Sequence, residues 1–183
     1  MNIQLSNVRL SYPQLFKPKA FAMSPVGQGQ SEPKFSAVAI LDKAQDAKQI
    51  QILKDGMKAV AEEKWGVGKI PKGIKVCVRD GAEKEDTEGY GPDIVFVSTS
   101  SAKRIPIVDR NLTPLVEEDG KPYAGCYINL SLRLWAQDNQ YGKRINAQLR
   151  AVQFVKDGEA FGDKPADPKA EFKSLEGEAD PLG

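Results

Sequence analysis

Histidine is absent from all 183 residues. That removes the commonest general base, the commonest metal ligand and every Ser-His-Asp or Cys-His arrangement. Cysteine is nearly absent as well. Cys77 and Cys126 stand alone with no CxxC partner, so a zinc site is close to excluded and the pair reads as two small buried residues in a reducing cytoplasm. No GxxxxGK[ST] loop occurs, which excludes nucleotide triphosphatases of that type. No apolar run approaches the length of a membrane span. The first residues, MNIQLSNVRLSYP, lack the basic and apolar regions of a signal peptide, so export is not expected. Carboxylates alone could hold magnesium for phosphodiester cleavage, but the only hint of such a set is Pro92-Asp93 with a distant Glu171-Phe172-Lys173. The expectation is a non-catalytic protein without a cofactor.

Net charge is also nearly absent, at +1, but the average hides a split. Residues 1–155 hold 22 of the 26 Lys/Arg and 17 of the 25 Asp/Glu, a net of +5, and residues 156–183 carry −4. A basic body with an acidic tail is the pattern of a charge-segregated, interacting protein. The division expected is a domain over 1–155 and an acidic, largely flexible tail over 156–183, with Phe161, Phe172 and Leu175 as scattered anchors and a short element near 168–175.

What is present in abundance is strand alternation. Residues 126–135 and 143–155 read as two long strands joined by a turn. In the first, Cys126, Ile128, Leu130, Leu132 and Leu134 share one face, and Tyr127, Asn129, Ser131, Arg133 and Trp135 the other. The second sets Ile145, Ala147 and Leu149 against Arg144, Asn146, Gln148 and Arg150. The wet face has no carboxylate, three arginines and two aromatics. Arginine forks hold phosphates and flat rings stack bases, so nucleic acid is the first partner to consider. On that reading Arg133, Arg144, Arg150 and Lys143 neutralise phosphates. Trp135, Tyr127 and Tyr141 stack bases, and Gln148 hydrogen-bonds them. Lys103 and Arg104 extend a basic groove. The ordinary explanation stands beside it: Trp135 and Tyr127 pack under a helix, and the hairpin tip and the 103–104 turn are merely solvated.

The rest of the chain supplies further strands over 2–11, 34–41, 74–79 and 94–100, an extended IPIVD segment at 105–109, and an amphipathic helix over roughly 43–65. Asp42 and Gln45 resemble a capping box, and Gly66 ends the helical run. Residues 12–33, with four prolines and two glycines, read as a long loop whose Tyr12, Phe16 and Phe21 anchor it to the core. Arg79 has Asp80 beside it as a local ion-pair partner. The sum is mainly β: a five- to six-stranded antiparallel barrel of the OB-fold kind, with one amphipathic helix and long loops. An OB barrel carries its helix between its third and fourth strands, whereas this helix follows the second visible strand. Either an early strand hides in 12–33 or the topology is embellished.

Six segments follow one another in a familiar order: RLSYPQLFKP (9–18), KFSA (34–37), VRDG (78–81), IPIVD (105–109), YAGCY (123–127) and AVQFVKDGE (151–159). In these the chain resembles a family of bacteriophage single-stranded-DNA-binding proteins with an OB-fold, first catalogued as a domain of unknown function. The similarity runs to about Phe172. It implies a barrel that coats single-stranded DNA in phage replication or recombination inside the host cell cytoplasm, and some proteins of this kind also tolerate duplex DNA. It also raises docking of phage or host replication proteins on the acidic tail. The chain departs from the bacterial pattern there, because it ends GEADPLG with no terminal aromatic. The tail reads equally as an inert end, a recruiting peptide or a competitor for the basic groove. The alternative from another class is a phage structural or protein-interaction module using the same aromatic-arginine face. The residues leave the oligomeric state open.

Overall fold

Residues 1–20, 32–162 and 168–175 are described by the computed structural model. In chain order the strands are β1 (Asn2–Lys19), β2 (Lys34–Asp42), β3 (Lys75–Val76), β4 (Val78–Asp80), β5 (Ile94–Ser101), β6 (Ile107–Val108), β7 (Tyr127–Asn139) and β8 (Gly142–Lys156). Helix α1 (Ala47–Trp65) lies between β2 and β3, and a single turn, α2 (Pro168–Glu171), follows β8. Five long strands pair antiparallel in the order β8-β7-β1-β2-β5. A parallel contact between β5 and β8, with Ser100 opposite Gln148, closes them into a barrel. Chain order and spatial order together are those of the OB barrel, as expected.

The inward faces are the apolar faces of the alternation. Ile128, Leu130, Leu132 and Leu134 of β7 and Ile145 and Leu149 of β8 are at most 1% exposed, each contributing roughly 1.5–3 kcal/mol of burial. Leu5, Val8 and Leu10 of β1, Ala37, Ala39 and Leu41 of β2, and Val95 and Val97 of β5 complete the same cluster. Helix α1 adds Ile50, Leu53, Val60 and Ala61 to it and packs against β7, β1 and β8. Gly56 makes that approach close, since a Cβ there would stand 2.9 Å from side-chain carbons of Ile3 and Leu134.

Several expectations change. Among the described residues no extra strand hides before β2, and α1 sits between the second and third barrel strands, so the topology is an embellished OB barrel. The loop expected from residue 12 begins later, because β1 continues to Lys19. Its prolines misled the reading: Pro13 and Pro18 fall inside the register shifts between Ser11 and Gln14 and between Gln14 and Lys19, where no ladder hydrogen bond is lost. Phe16 does pack on the core, and Phe21 lies outside the described residues. The strand expected over 74–79 is split at Cys77, with β3 pairing parallel to β8 and β4 antiparallel to β5. Helix α1 starts at Ala47 because Asp42 spends its carboxylate on the backbone N–H groups of Ala44 and Gln45, 2.8 and 2.9 Å away, making a turn first. It stops at Gly66 as expected, at a φ of 97° that favours glycine.

Beyond β8 the chain turns back over the body. Arg9 donates to the carbonyls of Gly125 (3.1 Å) and Glu159 (2.6 Å), and its guanidinium lies 4.1 Å from the centre of the Phe161 ring. The Phe161 N–H reaches the Ala124 carbonyl at 3.1 Å, and the Tyr123 hydroxyl donates to Asp157 at 2.7 Å. Phe161 packs on a second small cluster of Ile40, Tyr90 and Phe96 outside the barrel. Phe172 and Leu175 are exposed and join no apolar cluster among the described residues.

Candidate nucleic-acid interface

The outward residues of β7 and β8 fall one position out of phase with the core. Arg133 faces Gln148 and Trp135 faces Asn146 across the pair. Register carries this row onward around the barrel. Gln148 stands opposite Ser100, Ser100 opposite Ser36, and Ser36 opposite Gln14. Five strands thus present Arg133, Gln148, Ser100, Ser36 and Gln14 side by side. Four inter-strand steps make a belt of roughly 19 Å. It runs along an open groove of about 1060 Å³. The groove lies over the barrel's second and third strands and reaches the β7–β8 hairpin, the face on which OB folds hold oligonucleotides.

Trp135, 42% exposed, lines this groove with Arg133, Arg144, Asn146 and Gln148. The choice left open between groove and helix is therefore settled for Trp135. The tryptophan that meets the hairpin from the helix is Trp65, whose indole N–H donates to Asp138 at 2.9 Å. No described lining residue is acidic, while Lys19, Lys34, Lys75 and Lys84 add cations to the two arginines. None of these six forms an ion pair with a described carboxylate. Uncompensated cations in a concave site raise its potential toward polyanions. Arg79 also lines the groove. It bonds Glu83 through its guanidinium, while Asp80 pairs instead with Lys43 at 2.8 Å.

The other expected residues lie at varying distances from this centre. Arg150 shares a smaller adjoining hollow with Arg133, Gln148, Met1 and Asn2. Tyr141 and Lys143 are exposed at the hairpin tip, outside the groove lining. Arg104 donates to the Phe16 carbonyl at 3.2 Å and lies 5.3 Å from the Phe35 ring centre, which ties β1 to β2. Lys103 closes a turn on the Ser101 hydroxyl. Tyr127 is not brought to the groove. It stands eight residues from Trp135 along β7, roughly 26 Å, half-buried, with Lys156 Nζ 4.8 Å from its ring centre and Gly158 against it.

Sequence reasoning missed the far wall. Ser98 and Ser100 were legible in the alternation of IVFVSTSS, but Lys19 and Tyr12 belonged to a supposed loop. Tyr12 does not anchor a loop to the core; it is 52% exposed and lines the groove. Cys77, in the groove floor, is a buried free thiol whose pKa burial pushes up to about 11, so it offers no thiolate at neutral pH. Among the described residues no group of three His, Cys, Asp or Glu side chains could hold a metal ion. No described helix is long and apolar enough to cross a membrane.

Residues 1–182 match the family described as Enterobacter phage Enc34, ssDNA-binding protein. Protein p50 of Acyrthosiphon pisum secondary endosymbiont phage 1 is 39% identical over 169 residues, covering 88% of this chain and 86% of that protein. The solved structure of the single-stranded DNA-binding protein from bacteriophage Enc34 in complex with ssDNA is similar at a TM-score of 0.74 and 27% identity, over 88% of this chain and 89% of that one. The crystal structure of gp2.5, a single-stranded DNA-binding protein encoded by bacteriophage T7, shares the fold at a TM-score of 0.55 and 14% identity, over 98% and 99% of the two chains.

Proposed function

This chain belongs to the Enterobacter phage Enc34 ssDNA-binding protein family, and we propose that it binds and coats single-stranded DNA along the groove that crosses β7, β8, β5, β2 and β1. The observation that carries this reading is the belt from Arg133 to Gln14, flanked by Trp135 and by cations, with no acidic side chain among the described lining residues. Arg133 and Arg144 hold phosphates at one end, with Lys75, Lys34 and Lys19 along the path. Trp135 stacks a base, worth on the order of 1–3 kcal/mol with little sequence preference. Gln148, Ser100, Ser36 and Gln14 offer short hydrogen-bonding groups that accommodate any base. No step in this scheme breaks a covalent bond, so the protein acts stoichiometrically rather than as an enzyme. It serves phage replication or recombination in the cytoplasm of the host cell, and the acidic tail modulates access to the groove or recruits replication proteins.

Intrinsic fluorescence and anisotropy titrations with oligo-dT at several salt concentrations test the reading. With five phosphate contacts, log K falls against log salt with a slope of about −3 to −4. Heparin and duplex of equal charge compete poorly. Binding of all three polyanions with equal affinity would transfer the face to the structural or protein-interaction alternative, and no salt-sensitive binding at all would remove the proposal.

A further inference from the structure

We infer that Tyr12 is a second base-stacking platform, with Lys84 as its adjoining phosphate contact, at the end of the groove opposite Trp135. The inference rests on the single-strand reading above and adds residues that the aromatic-arginine face of β7 and β8 does not contain. Tyr12 occupies the register shift between Ser11 and Gln14 with a φ of 44°. Bulky side chains rarely adopt that conformation, and such outliers gather at functional positions. Its effect is to turn the ring out of the core and into the groove, where half of its surface stays open.

The exposed ring is nevertheless held. Tyr90 lies 6.3 Å away, centre to centre, at 43°. Tyr90 in turn is fixed by an edge contact to Phe96 at 5.2 Å and by its hydroxyl, 3.0 Å from the Ser11 hydroxyl oxygen. Lys84 Nζ sits 5.2, 5.6 and 5.3 Å from the ring centres of Tyr12, Tyr90 and Phe96. Three rings thus hold an ammonium that has no ion pair among the described residues, so it is positioned but not neutralised. A pre-set ring beside a pre-set cation loses little entropy on accepting a base and its phosphate. Tyr12 on β1 and Trp135 on β7 line the one groove, with the belt of Gln148, Ser100 and Ser36 between them. One strand can therefore be gripped at both ends.

Because glycine tolerates a φ of 44°, Tyr12→Gly removes the ring without adding backbone strain. Binding of dT12 to the full chain is measured for wild type, Tyr12→Gly, Tyr12→Phe and Lys84→Gln by anisotropy over a salt series, with a melting curve for each. Tyr12→Gly should bind on the order of 10-fold more weakly, with an unchanged salt slope and an unchanged melting temperature. Tyr12→Phe should stay close to wild type. Lys84→Gln should bind more weakly with a slope shallower by about 0.7. Wild-type affinity in Tyr12→Gly, or a loss matched by a lower melting temperature, overturns the inference while leaving the groove reading in place. A wild-type chain that does not bind dT12 overturns both.

Discussion

Arg133 and Trp135 alternate with Leu132 and Leu134, and that single phase decides their roles. The leucines are buried to within 1%, while their neighbours open onto a groove with no acidic side chain among its described lining residues. Trp135→Ala should therefore weaken oligo-dT binding by about 1–3 kcal/mol and leave the melting temperature unchanged. Tyr127→Ala, at the far end of the same strand under Lys156, should lower the melting temperature and leave oligo-dT affinity intact; the two variants compared by titration and thermal melts check both halves. The buried thiols give a prediction in pH. Burial is the largest cause raising Cys77 and Cys126 to about 11 each, above the unfolded value near 8.5. The folded state favours the neutral thiol, so this contribution is fully present below pH 8.5. It is lost as pH rises to about 11, because the unfolded chain ionises first. Each thiol accounts for on the order of 3 kcal/mol. Denaturant titrations at pH 7, 9 and 11 should show wild type losing more stability than a Cys77→Ala/Cys126→Ala variant.

At the scale of elements, what was legible depended on whether pattern or punctuation carried the signal. The hairpin of β7 and β8 was legible because the unbroken alternation of residues 127–135 and 144–150 leaves one face no choice but the core. Helix α1 was legible from its spacing, although its first turn was claimed too early because Asp42 caps a turn instead. β1 was cut short at residue 11 because Pro13 and Pro18 signal loops in isolation, and only the register with β2 reveals that bulges absorb them. The wall of the groove bearing Tyr12 and Lys19 went unseen for that reason. The segment 157–162 was invisible for another: its attachment uses Arg9, Tyr123 and backbone carbonyls far away in sequence. With Gly158, Gly125 is one of the two tightest points of that attachment. It has a φ of 104°, and a Cβ there would run into the Glu159 carbonyl. Gly125→Ala should cost about 1–3 kcal/mol, read by urea unfolding.

Across the whole molecule the charge split takes on a location. Six cations of the body with no ion pair among the described residues line one groove, and the strap 157–162 packs Phe161 on the Ile40, Tyr90 and Phe96 cluster beside Lys84. Residues 163–183 hold six acidic and three basic residues. Their removal after Gly162 should tighten oligo-dT binding at low salt, with the difference shrinking as salt screens it. Removal from residue 156 onward should instead lower the melting temperature, because the Arg9–Phe161 contact goes with it. Equal affinity of the full chain and the 1–162 form across salt would leave the tail an inert or recruiting role. The claim on which the account turns is where the strand lies. An amide chemical-shift map of the labelled protein titrated with oligo-dT locates it directly. The account predicts shifts concentrated in residues 133–137, 144–148, 98–101 and 36–38, with α1 and residues 127–129 unmoved. Shifts centred on Tyr127 or α1, with the groove silent, would contradict it.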